Sequence, residues 1–489
     1  MKRLLPALIL LALTACHREE SPRPEPAAPA PPIEIPTPPV AVPTPPVIEP
    51  EPPAPEPPPS RFAGIETMLE AARENAALAG AAIGLCLIDS EGEMVVNQHA
   101  DTAFIPASSL KTVTTATALE ALGPEFRFTT ELRATAKIAN GVITGDLVIV
   151  GGGDPMLKPE DLAAMAAKLK AQGLLRITGT VRGDGSLFAG SIYNDFWNWG
   201  DIGNGFGSAV SGLNLNHNRF SGWFRAGETV GSATAFLGTR PDVPDVLWKN
   251  EVVTGAADSG DGVMIHGGEK TPVVHLRGTV PLGAHEFHVK GAVPDPVHFT
   301  EHHLRRSLIE AGIEVGTGSA GSVSADHLLL KHESPPLIEI IKSIHATSDN
   351  HETECVFLTL GLKADKPPID VIRSHWAGRG LAFTGLRMED GCGLARADFI
   401  RPADLARLQF LAGKGPHGAA YKDSLLSRGG LRWKGGAMSG IRTFTGYATT
   451  EAGEEFCYAL MVNHYTDGRA VSLFCQTVLD ALLAVPQQR

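Results

Sequence analysis

Cysteine is scarce in this chain, and the few cysteines present form no recognisable pair or cluster. The 489 residues include six cysteines and no Cys-x-x-Cys spacing. Five remain once Cys16 is set aside, so at least one thiol has no partner within the chain. Three of the five lie in apolar runs typical of strands or a helix, and there we expect buried free thiols: Cys86, Cys457 and Cys475.

Other signatures are missing as well. The 42 Lys and Arg residues are outnumbered by 54 Asp and Glu, and the net charge of −12 without a basic patch excludes nucleic acid as a partner. No His-Glu-x-x-His occurs, so we predict no metal centre and no cofactor, and we expect His298 and His302, an i, i+4 pair, to be exposed or capping histidines. The absence of Gly-x-Ser-x-Gly disfavours an α/β-hydrolase.

The amino terminus has the pattern of an export signal. A basic start, Met1–Arg3, precedes an apolar stretch that is too short for a stable membrane span. Leu13-Thr14-Ala15-Cys16 resembles the lipobox of bacterial lipoproteins, which predicts a signal peptide at residues 1–15 and lipidation of Cys16. His17 follows rather than aspartate, so we expect a periplasmic protein anchored to the outer membrane. An ordinary cleaved signal peptide is the alternative.

Residues 16–60 are predicted to be a tether. Between Pro22 and Pro59 lie 19 of the 37 prolines of the chain, mixed with residues that cannot build a core. Such a composition favours an extended polyproline conformation. The tether would carry a globular body away from the membrane.

The remaining chain predicts one α/β layer that is interrupted by an insertion. Both ends of this part of the chain have helix and strand patterns, and we expect their strands and helices to form one layer. The last predicted strands lie near residues 431–434, 441–449 and 455–463. The middle changes to short strands broken by glycine turns. We therefore divide the body into three segments: a first part at 61–125, a largely β insertion of one or two subdomains at 126–335, and a second part at 336–489.

Ser108 and Lys111 are the strongest chemical signal in the chain. Three residues are about one helical turn, so both side chains share one face of the helix predicted to begin at Ser108. A neutral lysine can remove the proton of a serine hydroxyl, which makes the pair a candidate nucleophile and base. The alternative is that Ser108 caps the helix and that Lys111 reaches solvent.

Two later motifs could complete a site around this pair. Ser348-Asp349-Asn350 lies in a short loop between two apolar helices, and Lys434-Gly435-Gly436-Ala437 lies at the end of a strand. Each has a structural alternative. Asp349 or Asn350 could cap the next helix together with Glu352, and Lys434 could be a solvated charge on a strand.

The ordered set resembles the serine acyl-transferases that recognise penicillin, with Ser-x-x-Lys, Ser-x-Asn and Lys-Thr/Ser-Gly in that order. More narrowly, the chain resembles class C low-molecular-mass penicillin-binding proteins, the D-alanyl-D-alanine carboxypeptidase/endopeptidases of the serine β-lactamase and transpeptidase-like superfamily. Short sequence landmarks of this family are matched at 145–155, 183–186, 211–216 and 390–396. The resemblance extends from about Ile65 to the C-terminus. It implies an α/β (α+β) transpeptidase-like domain whose antiparallel sheet has helices on both sides.

The resemblance also implies roles. Ser108 would be the nucleophile and Lys111 its general base, while Ser348 would pass a proton to the leaving amine. The other expected contacts to substrate come from Asn350, Lys434, the oxyanion-hole amides of Ser108 and Ala437, and Gly435, Gly436 and Asp349. The substrates would be peptidoglycan stem peptides and crosslinks, cleaved through an acyl-enzyme that β-lactams also form.

Three positions depart from the family pattern. Gly435 stands where a threonine or serine hydroxyl is expected, at a cost of about 1 kcal/mol in substrate binding. Cys392 and Ala395 replace expected serines. Weakened recognition rather than lost chemistry is the expectation, and a catalytically inactive peptidoglycan-binding lipoprotein is the alternative.

Overall fold

The computed structural model describes residues 60–318 and 324–487. Its helices are α1 Ala63–Glu74, α2 Lys111–Leu122, α3 Pro159–Ala171, α4 Pro296–Glu310, α5 Leu337–Thr347, α6 Asn350–Ala364, α7 Pro368–Ala377, α8 Pro402–Gly413, α9 Gly418–Ser424 and α10 Gly468–Leu483. Its strands are β1 Ala82–Ile88, β2 Met94–Gln98, β3 Thr129–Ala134, β4 Val142–Ile143, β5 Leu147–Gly151, β6 Arg176–Ile177, β7 Val181–Asp184, β8 Arg219–Arg225, β9 Ala235–Arg240, β10 Leu247–Gly255, β11 Met264–His266, β12 Val273–Pro281, β13 Phe287–Ala292, β14 Glu314–Val315, β15 His327–Glu333, β16 Leu426–Arg428, β17 Leu431–Met438, β18 Ile441–Thr449 and β19 Glu455–Asn463.

A six-stranded antiparallel sheet joins the two ends of the described chain, in the order β16-β17-β18-β19-β1-β2. Successive residues of β19 alternate between two cores, as the period of two of a strand requires. Tyr458 and Leu460 pack with α1 and α10 on one face, and Cys457 and Met461 pack with α2, α5 and α8 on the other. The predicted fold class, an antiparallel sheet with helices on both sides, is confirmed.

The segment between β2 and β16 leaves this sheet and forms smaller ones. Four separate sheets lie within the described part of this segment: β10-β12-β11, β13-β8-β9, β14-β6-β4 and β15-β3-β5-β7. Its first strand, β3, pairs antiparallel with its last, β15, so the chain leaves and returns at neighbouring positions. The insertion boundaries at residues 126 and 335 stay a prediction.

The structure also bears on the predictions for the cysteines, two histidines and two element boundaries. The five described cysteines are all buried and free, as expected for three of them. His298 and His302 each bond to one aspartate, Asp245 and Asp242. The helix after Ser348 begins at Asn350, so Asn350 lies in the helix rather than in the predicted loop, and β17 runs on through the Lys434 motif to Met438.

The predicted signal peptide, lipidation site Cys16 and tether lie outside the described residues, except for Ser60. None of the helices in the described part of the chain is long and apolar enough to cross a membrane.

Candidate active site

Ser108 lies in a short 3-10 turn, Ala107–Leu110, that leads directly into α2. Two glycines allow neighbouring segments to pack closely against this turn from both sides. A Cβ atom on Gly436 of β17 would lie 2.7 Å from the backbone nitrogen of Ser108, and one on Gly393 would lie 2.0 Å from the carbonyl oxygen of Ala107. The serine is therefore held between a strand and a loop that any larger residue would push away.

Lys111 is fully buried at the start of α2, and its amine is surrounded by acceptors. Its Nζ donates to Ser108 Oγ at 3.0 Å, to Asn350 Oδ1 at 2.6 Å and to the carbonyl oxygen of Cys392 at 2.7 Å. A neutral amine keeps two N–H donors for Asn350 and Cys392 and has a lone pair left for the proton of Ser108. The alternative in which Lys111 reaches solvent is not what the structure shows.

Lys434 is the second lysine of the cluster and is 2% exposed. Its Nζ donates to Ser348 Oγ at 2.9 Å and to the carbonyl oxygen of Gly435 at 2.7 Å. Burial, followed by the charge of Lys111, lowers the pKa of Lys434 to about 7. Lys434 is therefore buried, is not a solvated charge on a strand and is only partly protonated near neutral pH. Its partner Ser348 ends α5 in the left-handed conformation, with φ at 60°.

Asp349 and Asn350 have different surroundings. The carboxylate of Asp349 accepts from Glu352 N at 2.9 Å and from the guanidinium of Arg219, so it caps α6. Although burial opposes ionisation, Arg219 holds the pKa of Asp349 well below its usual range. We assign Asp349 a structural role, because its oxygens are already occupied. Asn350 Nδ2 donates to the carbonyl oxygen of Phe206 at 2.8 Å.

The cleft above Ser108 is a cavity of about 450 Å³. Strand β16 pairs only with Leu431–Trp433, so the edge of β17 from Lys434 onward has no strand partner among the described residues. Such an edge can receive an extended peptide through main-chain hydrogen bonds. The residues that line the cleft come from the motifs, from the insertion and from the landmark at 390–396: Ser108, Asn198, Asp201, Phe206, Ser348, Asn350, Gly393, Leu394, Arg396, Ala437, Met438 and Ser439.

Gly435 leaves open space where a hydroxyl is expected. A Cβ atom there would meet the ring of Phe444 at 3.5 Å, an ordinary contact, whereas Gly436 has no such room. The two glycines of the motif therefore differ. Gly436 is required by packing, but nothing in the surrounding structure forces glycine at position 435.

Buried acids lie behind Lys111. Glu354 Oε1 accepts from Gly391 N at 2.7 Å. Burial and the nearby Asp390 raise the pKa of Glu354 to about 8 and that of Asp398 to about 10. Both acids are therefore mainly protonated at neutral pH, so the cluster does not place several negative charges beside the lysine.

Two groups in the described chain bring three metal-ligand side chains together: His217, Asp349 and Glu352, and Glu354, Asp390 and Cys392. In the first group, the guanidinium of Arg219 already forms an ion pair with the carboxylate of Asp349. In the second, both oxygens of Asp390 accept N–H donors, as described below. In each group one carboxylate therefore already has hydrogen-bond donors from the protein.

Sequence reasoning missed part of this cleft. Asp201 and Phe206 come from the insertion, and the sequence carried no signal that would connect them to Ser108. Cys392 and Arg396 belong to a recognised landmark, but the motif did not indicate that Lys111 would bond to a backbone carbonyl there.

A serine hydroxyl and two buried lysines at one end of an antiparallel sheet, flanked by helices, define a serine acyl-transferase of the β-lactamase-like class. A model of the D-Ala-D-Ala carboxypeptidase 3 (S13) family matches residues 65–484, and the chain belongs to this family. It is a serine-type D-alanyl-D-alanine carboxypeptidase and a low-molecular-mass penicillin-binding protein, as the sequence predicts.

Individual relatives agree with this assignment. A D-alanyl-D-alanine carboxypeptidase of an Actinomadura species is 27% identical over 434 residues, which cover 81% of this chain and 80% of that protein. The crystal structure of penicillin binding protein 4 from Haemophilus influenzae matches with a TM-score of 0.76 and 21% identity, over 86% of this chain and 99% of that one. Its complex with a novel β-lactam matches with a TM-score of 0.71, at the same identity and coverage.

Proposed function

We propose that Ser108 is the nucleophile of this carboxypeptidase and that Lys111 is its general base. Ser108 Oγ forms a bond to the carbonyl carbon of the penultimate D-alanine while its proton passes to Lys111 Nζ. The N–H groups of Ser108 and Ala437 receive the oxyanion. The observation that carries the proposal is the 3.0 Å contact between Lys111 Nζ and Ser108 Oγ, while the same amine is held by Asn350 Oδ1 and the carbonyl oxygen of Cys392.

Ser348 and Lys434 are suited to the departure of the terminal D-alanine. Breaking the C–N bond requires a proton on the leaving nitrogen, and the contact between Lys434 Nζ and Ser348 Oγ provides a route for one. Lys434, when charged, attracts the terminal carboxylate. Lys434 regains a proton from Lys111, which is then neutral again. Water attacks the carbonyl carbon of the acyl-enzyme and gives a proton to Lys111. The ester bond to Ser108 Oγ breaks, and Lys111 returns this proton to the serine.

We also propose cleavage of crosslinked stem peptides. A second cavity of about 640 Å³ adjoins the cleft and shares Phe206, Ser348 and Asn350 with it. Because Ser348 is the proposed proton donor to the leaving amine, a leaving group larger than D-alanine has space on that side. This observation favours endopeptidase activity in addition to carboxypeptidase activity.

The proposed setting is the periplasm. Support comes from the sequence alone: the export signal, the lipobox ending at Cys16 and the proline-rich segment. We further propose that β-lactams acylate Ser108, because their strained amide presents the same carbonyl to the same nucleophile.

Digestion of purified peptidoglycan sacculi tests the function. The protein should remove terminal D-alanine from pentapeptide stems and convert crosslinked muropeptides to monomers, and Ser108→Ala should do neither. Unchanged muropeptides with folded wild-type protein, together with retained binding to the sacculi, would instead support the non-catalytic wall-binding alternative raised by Gly435.

A further inference from the structure

The loop of residues 389–396 carries the backbone carbonyl to which Lys111 bonds. Besides the 2.7 Å contact from Lys111 to Cys392, the hydroxyl of Thr114 on α2 donates to the carbonyl oxygen of Gly391 at 2.7 Å. Gly393 of the same loop packs against Ala107, next to the nucleophile. The position of this loop therefore fixes one of the three contacts of Lys111 and one wall of the cleft.

The side chain of Asp390 holds the loop in its conformation. Asp390 is fully buried, and Oδ1 accepts from the backbone nitrogens of Cys392 at 3.0 Å and Gly393 at 2.6 Å. Its Oδ2 accepts from Ala395 N at 2.7 Å. A buried carboxylate needs such donors, because without them its desolvation is not compensated.

A fourth donor to Asp390 comes from the insertion. Trp197 Nε1 donates to Asp390 Oδ2 at 2.8 Å, across a separation of 193 residues in sequence. Trp197 is 6% exposed and packs in a small cluster whose other buried members are Tyr193, Ala209, Cys392, Leu394 and Ala395. Asn194 makes a second tie, from its Nδ2 to the carbonyl oxygen of Glu389 at 2.6 Å.

We propose that Trp197 is a positioning residue for acyl transfer, acting through Asp390 and the Cys392 carbonyl on Lys111. The proposal rests on the assignment of Lys111 as the base. Without the indole N–H, the fully buried Asp390 loses one of the four N–H donors that tie the loop to it, so the loop is held less firmly. Lys111 would follow the Cys392 carbonyl, and displacements of about 1 Å from reactive geometry slow reactions by up to about 100-fold.

Trp197→Phe tests this directly, because phenylalanine fills most of the same apolar space but donates nothing. The measurement is single-turnover acylation of the full-length protein by a fluorescent penicillin, with rates normalised to the titrated sites. We expect the acylation rate constant to fall about tenfold or more, with the dissociation constant of the encounter complex unchanged within about twofold.

Trp223→Phe is the matched control. Trp223 also lies in the insertion, and its buried indole Nε1 has no hydrogen-bond partner among the described residues. This variant should acylate at the wild-type rate. Asn194→Ala loosens the same loop at Glu389 without altering the core, so it should slow acylation in the same way, and it replaces Trp197→Phe in the test if that variant does not fold.

A wild-type acylation rate in Trp197→Phe, or in Asn194→Ala when Trp197→Phe is unfolded, would overturn the inference, whatever the change in melting temperature. So would a loss confined to the encounter constant, since that would mean that Trp197 shapes substrate binding only. Failure of the wild-type protein itself to label would count against the proposed nucleophile, which separates the two ideas.

Discussion

The charge of Lys434 changes across the neutral pH range. Its ordinary pKa of 10.5 is lowered to about 7, so its protonated fraction falls from roughly 90% at pH 6 to roughly 10% at pH 8. Burial of Lys434 is the main cause, and Lys111 adds to it whenever that lysine is protonated. Substrates that end in a carboxylate should therefore meet a charged Lys434 mainly on the acid side of pH 7.

We expect the affinity of the free enzyme for a D-alanyl-D-alanine peptide to weaken by roughly tenfold between pH 6 and pH 8. The inhibition constant of a non-reactive peptide analogue, measured at both pH values, checks this. Lys434→Gln should bind weakly at both and show no such change. A wild-type affinity independent of pH would contradict the assigned role of Lys434.

Gly435 gives a second prediction at the scale of one residue. Because a Cβ atom fits at this position, Gly435→Thr should restore a hydroxyl to the cleft without displacing Phe444. One hydrogen bond to a carboxylate is worth about 1 kcal/mol or more, so KM for pentapeptide substrates should fall about fivefold. Gly435→Ala is the control that adds the Cβ alone, and an equal change in both variants would rule out the hydroxyl as the cause.

At the scale of elements, the site depends on how closely β17 approaches the 3-10 turn that carries Ser108. Thr443 on β18 donates to the carbonyl oxygen of Pro106 at 2.6 Å, which ties the sheet to this turn. Gly436 lies between them. The distance between strand and turn sets where the amides of Ser108 and Ala437 can meet an oxyanion.

Gly436→Ala should therefore reduce turnover of the pentapeptide by at least about 100-fold. Its Cβ would lie 2.4 Å from Thr443 Oγ1 and 2.7 Å from Ser108 N, so strand and turn must separate. Steady-state kinetics would measure the loss, with Gly435→Ala as the neighbouring control that meets no such contact. Near wild-type turnover in a folded Gly436→Ala protein would show that this spacing does not control catalysis.

At the scale of the whole molecule, the insertion contributes to the site. Arg219 on β8 makes an ion pair with Asp349 at the start of α6, and the two side chains are 16% and 9% exposed. Removing one member leaves the other charge buried without its partner. The Arg219 contact lowers the pKa of Asp349, so the stability that it contributes is present above pH 3.8 and lost as pH falls further.

Arg219→Met should lower the free energy of unfolding by about 3 kcal/mol at neutral pH. Urea denaturation measures this change. Arg277→Met is the control, because Arg277 pairs with Glu251 on the exposed surface of the insertion and should have no measurable effect. Equal stability of the two variants would mean that the Arg219 pair does not hold the insertion to α6.

The parts of this architecture that sequence could predict are those with a local period. The spacing of Ser108 and Lys111 follows from one helical turn, and the alternation of Tyr458 and Leu460 with Ala459 follows from a strand. Contacts between Trp197 and Asp390, or between Lys111 and Cys392, join segments 193 and 281 residues apart and leave no local pattern. The cap that Asp349 makes for α6 is among the alternatives that the sequence offers, but its ion pair with Arg219, 130 residues away, is not.

Mass spectrometry of the intact protein after brief incubation with benzylpenicillin, followed by peptide mapping, identifies the nucleophile directly. We expect one adduct with the mass of the whole β-lactam, located on the peptide that contains Ser108 and absent from Ser108→Ala. An adduct on another residue, or acylation of Ser108→Ala at the wild-type rate, would contradict the central claim that Ser108 is the nucleophile activated by Lys111.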